Sequence, residues 1–139
     1  MSVAVAAMLA VPAWAKETSL CKRQPMDPES PPGLAGSYQV VGKDAGTGHA
    51  YSGELVIELG ADGYELIRTV QGQRTLGQAW IERCGVDEIT YLHARYAPDP
   101  VSDLGCRLQM DGDNYYRASC KVYQGSAADV GLEAWFQEP

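Results

Sequence analysis

Apolar and polar residues alternate along much of the chain, and the alternation is clearest over residues 51–70. Two alternating runs there flank the glycine-containing segment 60–63, a pattern typical of a β-hairpin with a four-residue loop. This register pairs apolar residues on one face, Leu59 with Tyr64 and Ile57 with Leu66. It also places Glu58 opposite Glu65, a like-charge pair that is tolerated only where both carboxylates face water. The hairpin therefore predicts a sheet with one packed and one solvated face.

The same period of two recurs from the end of a proline-containing segment to the end of the chain. It predicts eight strands, at about residues 37–41, 51–59, 64–70, 74–82, 88–96, 104–110, 115–123 and 130–137. Short turns join them, and no amphipathic helix of useful length is predicted. Such a meander closes most simply into an antiparallel up-and-down β-barrel, because closure removes the exposed edges of an open sheet. A β-sandwich is the alternative all-β arrangement.

The beginning of the chain differs in composition from the rest. Residues 1–15 contain no charged side chain and end in Ala13-Trp14-Ala15, which is typical of a secretory signal peptide, although a basic start is missing. Residues 16–35 hold four prolines without periodicity and predict an extended arm, ahead of a barrel domain over residues 36–139. No later stretch has the roughly eighteen uninterrupted apolar residues of a membrane-spanning helix, so no membrane span is predicted.

Four cysteines follow the predicted signal peptide, and an even number in an exported domain predicts two disulfides. The predicted hairpin around Gly112 places Cys106 opposite Cys120, so we expect these two to be bonded. Cys21 and Cys84 then form the second bridge, which ties the arm to a turn. Four buried thiols are the alternative, and the absence of a C-x-x-C pair argues against metal ligation. The predicted location is periplasmic or secreted.

The formal net charge of the chain is −7 at pH 7. Such a surface repels nucleic acid and anionic membranes, so neither is an expected partner. It permits a basic protein or a cationic ligand, although acidity also simply keeps an exported domain in solution.

The chain offers little for catalysis or metal binding. His49, in a predicted loop, and His93, in a predicted strand, are its two histidines, and the G-x-S-x-G pattern of many serine hydrolases is absent. Zinc would need at least a third ligand. We therefore predict no catalytic residue, no metal site and no cofactor. We expect His93, with Tyr91 and Arg95 alternating beside it, to belong to an exposed polar stripe.

Several short motifs resemble those of small exported bacterial β-barrels that are grouped with the lipocalins, or calycins. They are Gly36-x-Tyr38-x-Val40, Tyr51-x-Gly53-x-Leu55-x-Ile57, Tyr64-x-Leu66, Gly77 and Gly131-x-Glu133. The resemblance covers residues 36–139 and concerns the rhythm of strands and turns. It implies the barrel fold and, because lipocalin-like proteins commonly enclose a small apolar ligand, a binding function. Tyr38 stands where true lipocalins have a tryptophan.

Together these observations predict an exported, non-enzymatic barrel that binds a small apolar or amphiphilic ligand, since an eight-stranded barrel either fills its interior or holds one small molecule. The candidate ligand-binding residues are four aromatic side chains and one arginine: Tyr38, Tyr64, Arg68, Trp80 and Tyr116. Arg68 falls on the apolar face opposite Leu55, so it either reaches the barrel mouth or meets a buried anion. If the interior is filled, we expect binding on the outer surface. The alternative function is a protein-interaction or inhibitor module that acts on a basic partner such as a hydrolase.

Overall fold

The computed structural model describes residues 20–27, 29, 31–97, 101–124 and 129–139. Over these residues the chain forms no helix and nine β-strands: β1 (Cys21–Arg23), β2 (Gly36–Lys43), β3 (Ala50–Leu59), β4 (Tyr64–Val70), β5 (Gln73–Cys84), β6 (Ile89–Tyr96), β7 (Ser102–Met110), β8 (Tyr116–Gln124) and β9 (Gly131–Gln137). The predicted signal peptide lies outside the described residues and stays a prediction.

Strands β2 to β9 form a closed antiparallel barrel. Each strand pairs with the next along the chain, and β9 pairs back onto β2, with Trp135 opposite Val40. The long strand β5 pairs with β4 over its first half and with β6 over its second half. The predicted all-β, eight-stranded up-and-down barrel is therefore confirmed, and its architecture is compatible with a lipocalin-like fold.

The β3–β4 hairpin has the predicted register. Leu59 lies opposite Tyr64, and Glu58 lies opposite Glu65 with both glutamates exposed. Leu55 lies on the face of β3 opposite to Glu58 and is fully buried. A shift of one residue would exchange the two faces, so the alternation together with the turn at residues 60–63 predicts this register.

The sequence pattern does not predict β1, which lies in the proline-containing arm. It pairs with the end of β5 and places Cys21 opposite Cys84. Three residues are too few to display a period of two, so no alternation could reveal this strand. Both predicted disulfides are confirmed, since Cys21 is bonded to Cys84 and Cys106 is bonded to Cys120. Two disulfides indicate that the protein folds in an oxidising environment.

The barrel interior is filled at the end where β2 begins and β9 finishes. The largest fully buried side chains include Trp135, Tyr38, Tyr64, Leu34, Leu55, Ile57 and Leu66. Tyr38 packs edge-on against Trp135, and its hydroxyl donates a hydrogen bond to the carbonyl oxygen of Leu34. Close packing of this kind displaces a ligand. Open space therefore lies at the opposite end, where β2, β4, β6 and β8 finish and which we call the mouth, and on the outer side of the barrel.

Candidate functional site

Two hairpins of the barrel diverge on its outer side. β6 pairs with β7 only from Leu92 to Tyr96. The turn end of the β5–β6 hairpin, up to the pairing of Cys84 with Ile89, therefore extends beyond β7, and β1 pairs with β5 along its edge. β7 and β8 continue together to the pairing of Met110 with Tyr116. A groove of about 940 Å³ lies between these surfaces and continues over β9 and β2. We call it the outer groove.

Apolar side chains line much of the outer groove and are exposed to water. Leu20 is 72% exposed and Leu132 is 56% exposed, and Val41 and Ile89 are exposed as well. The disulfide between Cys21 and Cys84 forms part of the same wall. Large apolar side chains that share one concave surface are typical of a binding site. The volume also lies in the range that holds a small organic ligand.

Three exposed basic side chains, Lys43, Arg107 and Lys121, line the outer groove. The carboxylate residues among its described lining, Glu82 and Glu133, are buried and accept hydrogen bonds from other side chains. The charged groups that face solvent along the groove are therefore cationic, although the chain carries a net charge of −7. A local cluster of one sign attracts ligands of the opposite sign.

A buried polar cluster lies at one side of the outer groove. Nδ1 of His93 lies 3.0 Å from Oε1 of Glu82, and Nε2 lies 2.7 Å from Oδ1 of Asp103. Trp80 stacks on the imidazole with ring centroids 4.5 Å apart, and its Nε1 donates to Glu82 at 2.8 Å. His93 is only 4% exposed, so the prediction that it belongs to an exposed stripe is wrong. His93 does lie on the outer side of the barrel, which the sequence pattern only favours, but Trp80 and two carboxylates cover it.

The two carboxylates stabilise the protonated form of His93. Burial alone lowers the pKa of His93, but the hydrogen bonds to Asp103 and Glu82 outweigh burial and raise this pKa above its ordinary value. Burial raises the pKa of each carboxyl, but the hydrogen bonds from His93 and from Trp80 or Arg95, together with the nearby positive charges, outweigh burial, so the pKa of each carboxyl lies below its ordinary value. Arg95 also donates from Nε to Asp103 at 2.8 Å. A histidine with both nitrogens donating is poorly placed to act as a general base.

At the mouth, a second cavity of about 600 Å³ lies above a buried ion pair. Arg68 donates from Nη2 to Oε1 of Glu133 at 2.5 Å, and Glu133 also accepts from the Tyr51 hydroxyl at 2.8 Å and from Nε1 of Trp135 at 2.8 Å. Burial alone lowers the pKa of Arg68, but Glu133 raises it by more, so the guanidinium stays charged. Both interpretations of Arg68 are therefore correct, because it lies at the mouth and meets a buried anion.

The five predicted ligand-binding residues do not share one pocket. Tyr38, Tyr64 and Tyr116 are buried at the filled end, Trp80 lies on the outer side, and Arg68 lies at the mouth. Their contact with a ligand stays a prediction.

Glu133 enters the sequence pattern only as part of the Gly131-x-Glu133 motif, and that pattern predicts no site at the outer groove. Glu133 carried a usable signal, because alternation places it on the same inward face of β9 as Trp135, and a buried carboxylate needs a cation or hydrogen-bond donors. The outer groove carried no comparable signal. It depends on the divergence of two hairpins, which alternation along one strand does not report.

Metal binding has one structural candidate among the described residues. Cys21, Glu82 and Cys84 form the one group of three ligand-type side chains there whose donor atoms all lie within 4.8 Å of one another. The two sulfurs are joined in a disulfide, so neither is a thiolate ligand. His49 lines the mouth and His93 belongs to the polar cluster, so the two histidines serve different sites.

The described part of the chain contains no helix that is long and apolar enough to cross a membrane. No protein-family model, curated protein or solved structure matches the chain.

Proposed function

We propose that this protein is an exported, non-enzymatic binding protein whose ligand is a small amphiphile with an apolar tail and an anionic head group. The outer groove is the binding site. The observation that carries the proposal is the combination of exposed apolar side chains with exposed Lys43, Arg107 and Lys121 along one concave surface.

The pairing of β9 with β2 and with β8 supports placing the anionic head group between two lysines. Leu132 of β9 lies directly between Lys43 of β2 and Lys121 of β8, so two ammonium-bearing side chains flank one exposed leucine. Val41 and Ala134 pair in the next row of the same face. An anionic head between the two lysines places the tail over these apolar residues and toward Ile89 and Leu20.

Burial of the tail supplies most of the affinity. Each methylene that leaves water contributes about 0.8 kcal/mol, so a fully buried decyl chain contributes roughly 7 kcal/mol before the cost of association. That cost takes a large part of the gain. We therefore expect micromolar to millimolar dissociation constants, with the lysines and Arg107 selecting among head groups rather than setting the overall affinity.

The periplasmic or secreted location belongs to the same proposal. It is supported by the two disulfides, which form and persist in oxidising compartments. A mature protein that is recovered from the cytoplasm with all four cysteines reduced would contradict it.

Isothermal titration calorimetry with three decyl compounds tests the proposed function. Decyl sulfate, decyl maltoside and decyltrimethylammonium are each titrated below their critical micelle concentrations. We expect decyl sulfate to bind most tightly and decyltrimethylammonium most weakly, because the solvent-facing charges of the groove are cationic. Absence of saturable heat with all three compounds contradicts the binding site, and equal affinity for the anionic and cationic heads contradicts the choice of ligand.

A pair of matched variants locates the binding. Lys43→Gln combined with Lys121→Gln should weaken decyl sulfate binding about tenfold and leave decyl maltoside binding nearly unchanged. Arg74→Gln combined with Arg117→Gln removes the same charge from outside the groove and should change neither affinity, since neither arginine lines it.

One observation favours the inhibitor module that the sequence predicts as the alternative function. Glu54, Glu58 and Glu65 are exposed on the outer face of the β3–β4 hairpin, with Glu58 directly opposite Glu65. A cationic surface that docks there would relieve the repulsion within this pair. Salt-sensitive binding to a basic hydrolase that is lost in the Glu58→Gln, Glu65→Gln double variant would support this function, whereas binding that is insensitive to salt would count against it.

A further inference from the structure

The mouth has the features of a second binding site, next to the outer groove and sharing Lys43 and Glu133 with its lining. Its cavity of about 600 Å³ is surrounded by the loop over residues 44–49, the turn at residues 71–72 and the ends of β6 to β9. Its floor consists of Arg68, Glu133, Tyr51 and Tyr96. None of these four residues lies in the filled end of the barrel, so packing of the apolar core does not explain why they are grouped.

Two glycines create the space for the tyrosines of this floor. Gly42 lies opposite Tyr51 in the β2–β3 ladder, and Gly77 lies opposite Tyr96 in the β5–β6 ladder. A Cβ atom on Gly42 would collide with the Tyr51 ring, and a Cβ atom on Gly77 would lie 2.6 Å from Cδ1 of Tyr96. Each ring therefore lies flat against its neighbouring strand, which keeps the volume above it open.

The tyrosine rings hold the guanidinium of Arg68 between them. Its Cζ atom lies 5.4 Å from the Tyr51 ring centroid and 5.7 Å from the Tyr96 ring centroid. Cation–π contacts and the ion pair with Glu133 together fix the arginine in one position. The floor is thus rigid and locally neutral.

The hydroxyl of Tyr96 has no hydrogen-bond partner among the described residues. Tyr96 is 5% exposed, and a buried hydroxyl without a partner is unfavourable. It lines the cavity from the inward face of β6. The hydroxyl oxygen is itself covered, so a ligand hydroxyl reaches it from the cavity by displacing the side chains above it, and can then both donate and accept.

The charges of the lining decide the class of ligand. Three basic side chains, Lys43, His49 and Arg68, face three carboxylates, Asp44, Asp129 and Glu133, so the lining has no excess positive charge to hold an anion. Amide and hydroxyl side chains complete the wall: Gln73, Thr75, Ser102 and Gln124. Amide and hydroxyl groups both donate and accept hydrogen bonds, so they suit a neutral ligand whose own groups do both.

We propose that the mouth binds a neutral, hydroxyl-rich small molecule of the sugar class, with one of its hydroxyls on Tyr96 and others on the amide and hydroxyl wall. This site differs from the outer groove in place and in chemistry. Its existence does not depend on the function proposed for the groove.

Two phenylalanine variants test the assignment, because the barrel carries a matched pair of unpartnered tyrosine hydroxyls. Tyr96→Phe removes the hydroxyl at the mouth, and Tyr64→Phe removes the one at the filled end. Neither hydroxyl has a partner among the described residues, so both variants should fold with an unchanged or slightly raised midpoint of chemical unfolding. Thermal or chemical unfolding of each variant verifies this before binding is measured.

The probes are D-glucose, D-galactose and D-mannose, titrated into the ¹⁵N-labelled full chain and followed by amide chemical shifts, with sodium phosphate as the anionic control. We expect saturable shifts with at least one sugar at the mouth, for example at Thr75 and Ser102. Tyr96→Phe should weaken this binding at least tenfold, and Tyr64→Phe should leave it unchanged. Absence of saturable shifts with all three sugars, equal loss in both variants, undiminished binding in Tyr96→Phe, or a preference for phosphate each overturns the proposal.

Discussion

Arg68 of β4 and Glu133 of β9 lie on strands that β3 and β2 separate, and their side chains meet inside the mouth with Nη2 2.5 Å from Oε1. The Glu133 side chain is almost fully buried, and the Arg68 side chain is partly exposed. Tyr51 and Trp135 donate to the same carboxylate. Both oxygens of the Glu133 carboxylate therefore accept hydrogen bonds, and the ion pair links two sides of the barrel just beneath its open end.

Removing one member of this pair should be strongly destabilising. Glu133→Gln leaves the guanidinium of Arg68 partly buried without its anion, and we expect the free energy of unfolding to fall by about 3–5 kcal/mol. Urea unfolding followed by tryptophan fluorescence measures the change. The exposed Glu54→Gln variant is the control and should change the free energy by less than about 0.5 kcal/mol.

The same pair gives a double-variant test. Arg68→Met combined with Glu133→Gln removes the unpaired charge, so it should recover more than half of the stability that Glu133→Gln loses. A double variant no more stable than Glu133→Gln alone would show that the ion pair is not the cause of the loss.

Glu58 and Glu65 face each other on the exposed side of the β3–β4 hairpin. Glu65→Lys replaces a like-charge pair by an opposite-charge pair, and we expect it to stabilise the protein by about 0.5–1 kcal/mol at low salt. Added salt should reduce the gain. Glu54→Lys makes the same change of charge opposite Thr69 and should give a smaller gain, so equal gains at the two positions would point to net charge instead of the cross-strand pair.

The polar cluster around His93 predicts how stability depends on pH. The pKa of His93 is raised in the folded protein, so its contribution is fully present below the pKa of the unfolded chain and is lost as the pH rises through the folded value. The pKa values of Glu82 and Asp103 are lowered, so their contribution is lost as the pH falls through their folded values. Stability should therefore be greatest between these two limits.

Urea unfolding between pH 5 and 9 measures this dependence. The wild type should lose stability as the pH rises above about 6.5, the ordinary pKa of histidine. His93→Gln should be less stable overall but should lack this slope, whereas His49→Gln should retain it. An unchanged slope in His93→Gln would show that another group titrates.

The two disulfides should differ in their effects. Cys21→Ala with Cys84→Ala removes the bridge between residues separated by 63 positions and should lower the free energy of unfolding by about 4 kcal/mol. Cys106→Ala with Cys120→Ala removes the bridge with a separation of 14 and should lower it by about 3 kcal/mol. The first bridge holds β1 against the outer groove, so its loss should also weaken decyl sulfate binding. Loss of the second should weaken binding less while the protein remains folded, because Cys106 and Cys120 are buried in the barrel core even though Cys120 borders the groove. Equal losses of binding would contradict this division.

Much of the fold can be read from the sequence, because antiparallel barrels repeat a period of two. Alternation between residues 51 and 70 gives the hairpin register, and opposed positions in the last hairpin give the bond between Cys106 and Cys120. The second disulfide then follows by elimination. The strand β1 does not follow, since three residues carry no period and its partner lies on another part of the chain.

The sites are less predictable because they depend on tertiary geometry. Neither face of the strand that carries His93 is cleanly apolar, so alternation only favours an outward His93, and it cannot show that Trp80 and two carboxylates cover it. Likewise, Leu132 and Val41 lie on the outer face of the barrel, but the pattern along their own strands cannot show that two diverging hairpins form a groove over them. Arg68 could be placed at the mouth because a charged residue on an inward face has few other positions available.

Amide chemical shifts of the ¹⁵N-labelled protein during a decyl sulfate titration test the proposed function most directly. We predict saturable shifts at residues 41–43, 119–121 and 132–134 and at Ile89 and Tyr91, which line the outer groove. We predict little change at Thr75 and Ser102, which line the mouth alone. Shifts confined to the mouth, or no saturable shifts at any residue, would contradict the assignment of the outer groove as an amphiphile-binding site.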